Sequence, residues 1–245
     1  MYTPRPQLET YLLMGIDVEG PAKGNRSYSG GGQADVQLLL VVDNTNQTWQ
    51  VLQINRDSMV EVQVLGMTGE VLQTQTAQIA TAHAYGDGTE RSCRNAVAAG
   101  SNMLGGKTID GDVALNMDAV AILNDMVGGV PVTITSDFTD IDPSLQEGET
   151  ITLQGQQALV FVEEKMARQD EEFVIRAYDA VSDYMVTDMG SGTVAELGEK
   201  MKTYEELPFL TIAGESGTDE EGSATYTLDQ DSLQQAIVSL FYERT

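Results

Sequence analysis

The stretch TYLLMGID at residues 10–17, followed by ADVQLLLVVD at 34–43 and TWQVLQINRD at 48–57, decides the fold. The first run is mostly apolar, has strand length and ends in Gly15-Ile16-Asp17, so it reads as a buried strand leading into a turn that presents a carboxylate. The loop at 19–32 is rich in Gly, Ser and Asn. VQLLLVV at 36–42 has the length and branched residues of a second core strand, which Asp35 enters as Asp17 leaves the first. DNTNQT at 43–48 has turn composition and WQVLQI at 49–54 alternates, so these two strands are expected to form a hairpin. An antiparallel hairpin returns the chain to its start, which sets residues 55–57 beside residues 33–35. Asp17, Asp35, Arg56 and Asp57 are thereby expected at one sheet edge.

Outward from that hairpin, residues 58–80 read as a second, peripheral hairpin turning at Thr68-Gly69. Thr89 is expected to cap a helix that carries Cys93 and runs to about Leu104, stopped by Gly105-Gly106. A short strand at 113–115 precedes a helix through AVAILNDMV, capped by Asn116 or Asp118 and ended by Gly128-Gly129. VPVTIT at 130–135 supplies another strand and LQEGE at 145–149 a turn. From Leu153 onward, GQQALVFVEEKMARQDEEFVIRAYDAVSDYM reads as one or two helices. A further helix covers about 194–203, and Asp229 or Asp231 caps the last one. The acidic GESGTDEEG at 214–222 reads as a solvated connection. Strands alternating with helices predict an α/β layered domain, a central mixed sheet flanked by helices, over residues 10–245 with 1–9 as a tail.

The 245 residues include 41% hydrophobic ones, enough for one sizeable core. With 38 Asp plus Glu against 13 Lys plus Arg, the formal charge is -25, which repels phosphate backbones and excludes non-specific nucleic-acid binding. No window reaches the roughly 18 apolar residues that cross a bilayer, and no signal-type segment opens the chain, so as given it reads as soluble. A Met1 followed by a Pro-rich MYTPRPQ leads us to expect that an upstream signal or membrane anchor has been trimmed. The lone Cys93 cannot close an intramolecular disulfide, and the single His83 excludes a multi-histidine zinc site within one chain. Cys93 is read as a buried hydrophobe, His83 as structural, and Arg91 and Arg94 as surface charges. The 11 methionines suit either a plain core or a channel for a flexible chain.

Taken in order, the Gly-x-Asp strand, the x-x-Asp before LLLV, and INRDS from Ile54 resemble the LytR-CpsA-Psr family, whose comparable segments read LLLGxD, RxDT and IPRDT. The resemblance continues through IATAHAYGDG at 79–88, MVGGVPVTITSDFTD at 126–140 and LQGQQALVFV at 153–162, the last similar to LNGxQALxYVR. It implies an extracytoplasmic cell-envelope domain on a membrane anchor. Such a domain transfers an anionic glycopolymer from a polyprenyl phosphate or pyrophosphate lipid to a peptidoglycan hydroxyl. It also implies an apolar channel for the prenyl tail with a charged mouth and a divalent cation. By motif, Asp17 and Asp35 fall on magnesium ligands, Arg56 on the arginine that neutralises pyrophosphate, and Asp57 on a residue that orients Arg56 or acts as base.

The substrate-binding positions depart from the pattern. Gln33 stands where the family has arginine, and Val162-Glu163-Glu164-Lys165 stands for VRxR, leaving Lys165. Arg176 is the candidate left from D-x-x-R-x-x-R-Q, and Gln78 replaces a lysine. A charge-assisted contact contributes roughly 1.5 to 3 kcal/mol, and about 1.4 kcal/mol is tenfold in rate, so losing three implies weak, altered or lost transfer. The alternative is a non-catalytic lipid-binding or scaffold domain of the envelope. A transcriptional attenuator role finds no support in charge or helix-turn-helix spacing.

Overall fold

The computed structural model describes residues 2–22, 30–126, 128–133, 146–153 and 171–244. In chain order the elements are β1 (Tyr2–Pro4), β2 (Leu8–Ile16), β3 (Ala34–Asp43), β4 (Thr48–Ile54), β5 (Met59–Leu65), β6 (Val71–Gln78), α1 (Thr81–Ala84), α2 (Glu90–Met103), β7 (Gly111–Asn116) and α3 (Met117–Met126). There follow β8 (Val130–Thr133), β9 (Thr150–Leu153), α4 (Glu171–Val181), β10 (Met185–Thr187), α5 (Ser191–Thr203), β11 (Glu205–Glu206), β12 (Leu210–Thr211), β13 (Gly214–Thr218), β14 (Ala224–Leu228), α6 (Gln230–Phe241) and β15 (Tyr242–Arg244).

The central sheet runs β10-β7-β2-β3-β4, with β11 and β12 both on β4. It is mixed: β2 is antiparallel to β3 and parallel to β7, and β11 and β12 lie parallel to β4. The predicted hairpin of β3 and β4 is present in the register Gln37↔Ile54 to Asp43↔Thr48. Leu39 to Val42 are all buried because both faces of the sheet are covered, which is why the strand reads as a continuous apolar run. Successive side chains go to opposite faces. Leu12, Met14, Ile16, Leu39, Val41 and Leu52 pack with Ala96 and Met103 of α2 and with Leu233, Leu240 and Phe241 of α6. Tyr11, Leu40, Val42, Trp49 and Val51 pack with Met189 and with Leu197 of α5. A separate cluster joins α3 to α4 through Ala119, Leu123, Ala177 and Val181.

The residues ahead of Thr10 are held by the fold. β1 pairs with β15, and Arg5 reaches Asp43 at 3.1 Å. The peripheral hairpin turns at the expected place, with β5 against β6 and Gly69 at φ 88°. Three expectations are corrected. GESGTDEEG is no plain loop: β13 and β14 pair through Gly214↔Leu228, with Asp219 accepting from the Glu221 and Ser223 amides in the turn. Thr89 does hold the N-cap position of α2, but its side chain makes no capping bond and its hydroxyl donates to Asp87. Leu153 ends strand β9, which pairs with β8, and does not open a helix. The remainder of that expected helix up to residue 170, with Glu163 and Lys165, lies outside the described residues, as do residues 134–145.

Of the alternative caps, Asn116 accepts from the Ala119 amide of α3 at 3.3 Å, and Asp229 accepts from the Ser232 amide of α6 at 2.7 Å. No helix among the described residues is long and apolar enough to cross a membrane. An apolar channel is not shown among them.

Candidate functional site

Four of the expected residues meet at the open end of the β3–β4 hairpin. Past Ile54 the chain makes an Asx turn, in which the Asn55 carboxamide accepts from the Asp57 amide at 2.9 Å. The backbone there is clamped on both sides: Ala80 N–H donates to Arg56 O at 3.1 Å, and Tyr226 N–H to Asp57 O at 2.8 Å. The turn therefore holds Arg56 at a fixed place beside β3.

Asp35 reaches that place through a β-bulge. Gly15 pairs with Val36, but Ile16 pairs with Ala34, so Asp35 is the extra residue on β3. Bulges re-aim side chains at sheet rims, and this one leaves Asp35 exposed directly after the buried Ala34. Asp17 follows β2, and its carboxylate accepts from the Gln33 amide at 2.6 Å while its own amide donates to Gln33 O at 3.1 Å. Gly32, at φ 74°, permits that approach, since a β-carbon there would lie 2.2 Å from Val18 Cγ2 and 2.8 Å from the Asp17 carboxylate. The loop after Asp17 is pinned by α3: Met117 N–H donates to Val18 O, and Asp118 accepts from the Gly20 amide.

Arg56 is the hub. Nη1 donates to Asp35 at 2.5 Å, Nη2 to the Gln33 side-chain oxygen at 2.6 Å, and Nε lies 3.6 Å from Asp57. Arg56 is 37% exposed and Asp35 39%, so these pairs add little to stability and remain open to a ligand. Burial raises the Asp35 pKa above the usual carboxylate range, Arg56 opposes the rise, and the negative charges of Asp17 and Asp57 add to it. Two carboxylates thus flank one guanidinium while the charge of Asp17 also bears on Asp35, a balance that a further cation would improve.

The donor set suits a hard divalent ion. Among the described residues no group of three His, Cys, Asp or Glu side chains is placed to cage a metal, so Asp17 and Asp35 would need phosphate oxygens and water to complete the shell. Magnesium is bound in that way, through one or two carboxylates plus substrate phosphates.

Gln78 belongs to the site as well: its Nε2 donates to Asp57 at 2.8 Å and to Ala224 O at 2.7 Å. Gly32 and the bulge were missed in the sequence, although GGGQAD carries the glycine signal. Arg176 lies exposed on α4, an element that packs on α3 and α5, and Lys165 is outside the described residues. His83 is buried and its Nδ1 lies 3.0 Å from Gly32 O, so it supports the loop beneath Asp17. Cys93 is buried, and desolvation together with Asp112 pushes its thiol pKa up, as an inert core residue requires.

The LytR_cpsA_psr family model matches residues 7–172. A polyisoprenyl-teichoic acid–peptidoglycan teichoic acid transferase, TagU, of Halalkalibacterium halodurans is 27% identical over 159 residues, which is 65% of this chain and 45% of that protein. The match therefore spans under half of that relative's length. Protein gbs0355 of Streptococcus agalactiae has the same fold, with TM-score 0.73 and 22% identity over 95% of this chain and 87% of that one. B. subtilis TagV matches with TM-score 0.68 and 18% identity over 96% of each chain. YwtF (TagT), solved with bound octaprenyl pyrophosphate lipid, matches with TM-score 0.64 and 22% identity over 96% of this chain and 90% of that one. With the family model matched over residues 7–172 and the fold shared along nearly its whole length, the chain belongs to the LytR_cpsA_psr family.

Proposed function

We propose that this chain is a cell-envelope, extracytoplasmic domain that binds a polyprenyl-pyrophosphate-linked glycopolymer and transfers the glycopolymer with its attached phosphoryl group to a peptidoglycan hydroxyl. The transfer is slow because cations are scarce at the mouth. The observation that carries this reading is Arg56 held between Asp35, Gln33 and Asp57 at the rim of the sheet. It is supported by the octaprenyl pyrophosphate bound to YwtF and by the transferase name of the matched relative.

In the proposed reaction the acceptor hydroxyl attacks the phosphorus that bears the glycopolymer. A new P–O ester bond forms, the phosphoanhydride P–O bond breaks, and polyprenyl phosphate leaves. Asp57 receives the hydroxyl proton on the carboxylate whose Oδ1 accepts from Gln78. Arg56 exchanges its exposed carboxylate partners for phosphoryl oxygens and stabilises the charge that develops there. Asp17 and Asp35 would hold magnesium, which when bound neutralises phosphate charge and orients the anhydride. Gln33 offers no charge where a second guanidinium would grip the phosphate, and one such contact at about 1.5 to 3 kcal/mol is roughly tenfold to a hundredfold in rate. The prenyl tail is proposed to lie in an apolar channel, and Lys165 and Arg176 to add cationic contacts.

The test is a transfer assay. Purified protein with magnesium, lipid-linked glycopolymer and peptidoglycan fragments should release polyprenyl phosphate above a protein-free blank. Gln33 in place of arginine also favours a second reading, a non-catalytic carrier-binding domain, which predicts that lipid is retained and nothing is released. Neither release nor retention would remove both readings.

A further inference from the structure

A cavity of about 200 Å3 lies away from the Arg56 cluster, between the turn of the β5–β6 hairpin and the first turns of α2. Its wall includes Leu65, Thr68, Gly69, Arg91, Arg94 and Asn95. Gly69 is left-handed, and a β-carbon on it would stand 3.1 Å from Arg91 Cδ and Nε, so glycine is what lets the turn close against that side chain. Arg91 has Asp87 at 3.8 Å and Arg94 has Glu90 at 3.3 Å. Each pair spans one helical turn, the Arg94 pair exposed and the Arg91 pair partly so, with Arg91 Nη1 also donating to Met67 O at 3.5 Å; pairs of this kind contribute little and can exchange for a better anion.

Asn95 adds an independent sign of a ligand. It is 4% exposed, and its Nδ2 donates to Gln63 O at 2.9 Å and Ala82 O at 2.7 Å, which fixes the orientation of the amide. Among the described residues its Oδ1 is buried without a hydrogen-bond partner, a costly state that a hydroxyl-bearing ligand or its bound water would relieve. Two guanidinium groups and one acceptor match an anion that carries hydroxyls.

Strand β6 leads from this cavity to the reaction centre. It holds no charged residue, although the chain has 38 acids, and Gln73, Thr74 and Thr76 are exposed along it. Among the described residues it pairs with β5 alone, so its outer edge offers hydrogen bonds. Its eight residues span roughly 25 Å. The far end is Gln78, bonded to Asp57.

We propose that Arg91, Arg94 and Asn95 form a second anion subsite, which takes a phosphodiester from the glycopolymer's own repeat units, while β6 carries the neutral polyol or sugar between that subsite and Asp57. This rests on the glycopolymer reading above, but its test does not require turnover. A carrier-free poly(glycerol phosphate) chain is titrated into the whole protein at fixed salt, and octaprenyl pyrophosphate is titrated separately. The expected result is that R91Q/R94Q weakens polymer binding by about tenfold or more, the loss of one or two charge-assisted contacts. Octaprenyl pyrophosphate binding should stay at its wild-type level, and Arg244→Gln, an exposed cation on β15, should leave polymer binding unchanged.

Polymer binding that survives R91Q/R94Q, or that never occurs in the wild type, overturns the subsite. So does an equal loss in Arg244→Gln, which would mark a diffuse charge effect. Met67 and Leu72 are exposed beside the cavity. If R91Q/R94Q instead abolishes adhesion to phosphatidylglycerol vesicles and spares the polymer, the arginines contact membrane and the proposal fails. Failure of octaprenyl pyrophosphate to bind the wild type counts against the transferase reading alone.

Discussion

Arg56 gives each of its three nitrogens a separate partner, so its value lies in geometry as much as charge. Arg56→Gln removes the cation and leaves Asp17, Asp35 and Asp57 unopposed. We expect carrier affinity, read by octaprenyl pyrophosphate titration, to fall about a hundredfold, as for a lost bidentate charge-assisted contact. Arg56→Lys, a point charge without the planar fork, should recover less than half of that loss in free energy. Gln33→Arg runs the other way. Its neighbours Asp17, Asp35 and Arg56 supply more negative than positive charge, so the added guanidinium is tolerated and restores the missing phosphate contact. The transfer rate should rise about tenfold, and an unchanged rate would show that cation shortage is not what limits it.

Strand patterning carried most of the architecture into view. LLLVV announced a strand covered on both faces, and the turn composition at 43–48 announced the hairpin that brings Arg56 to Asp35. Local signals were weaker where a side chain had two possible partners. Thr89 holds the cap position but its hydroxyl donates to Asp87, and GESGTDEEG looked like a solvated loop although Asp219 turns it into a hairpin. The bulge at Asp35 could not be read from composition, because it depends on the pairing of Gly15 and Ile16 with another strand.

Asp229→Ala removes the cap of α6 and should cost about 1 kcal/mol, seen as a lower urea midpoint with an unchanged slope. On β7, burial and then the Asp188 carboxylate push the Asp112 pKa up to about 6 from an ordinary 3.8. The fold thus favours the protonated form, so this contribution to stability is complete below pH 4 and is lost as pH rises through about 6. Asp112→Asn cannot ionise, and it should stabilise the domain by about 2 kcal/mol at pH 7.5, allowing for residual solvation, with no gain at pH 4. Equal melting shifts at both pH values would contradict this.

The molecule as a whole carries -25, and the carrier it is proposed to bind is an anion. Long-range repulsion slows the approach of pyrophosphate, and salt shortens its range from about 30 Å at 0.01 M to about 10 Å at 0.1 M. Association of soluble geranyl pyrophosphate should therefore quicken several-fold between those ionic strengths in stopped flow, the reverse of a basic phosphate-binding protein. A rate that falls with salt would place the dominant field elsewhere.

Magnesium-dependent binding of octaprenyl pyrophosphate, compared among the wild type, Asp17→Ala/Asp35→Ala and Arg56→Gln, asks whether the aspartates and Arg56 together hold the pyrophosphate. Magnesium should tighten binding to the wild type, the double aspartate variant should lose this magnesium effect, and Arg56→Gln should bind weakly with or without the ion. Equal affinities across all three proteins, in either condition, would mean that neither the aspartates nor Arg56 grips the pyrophosphate.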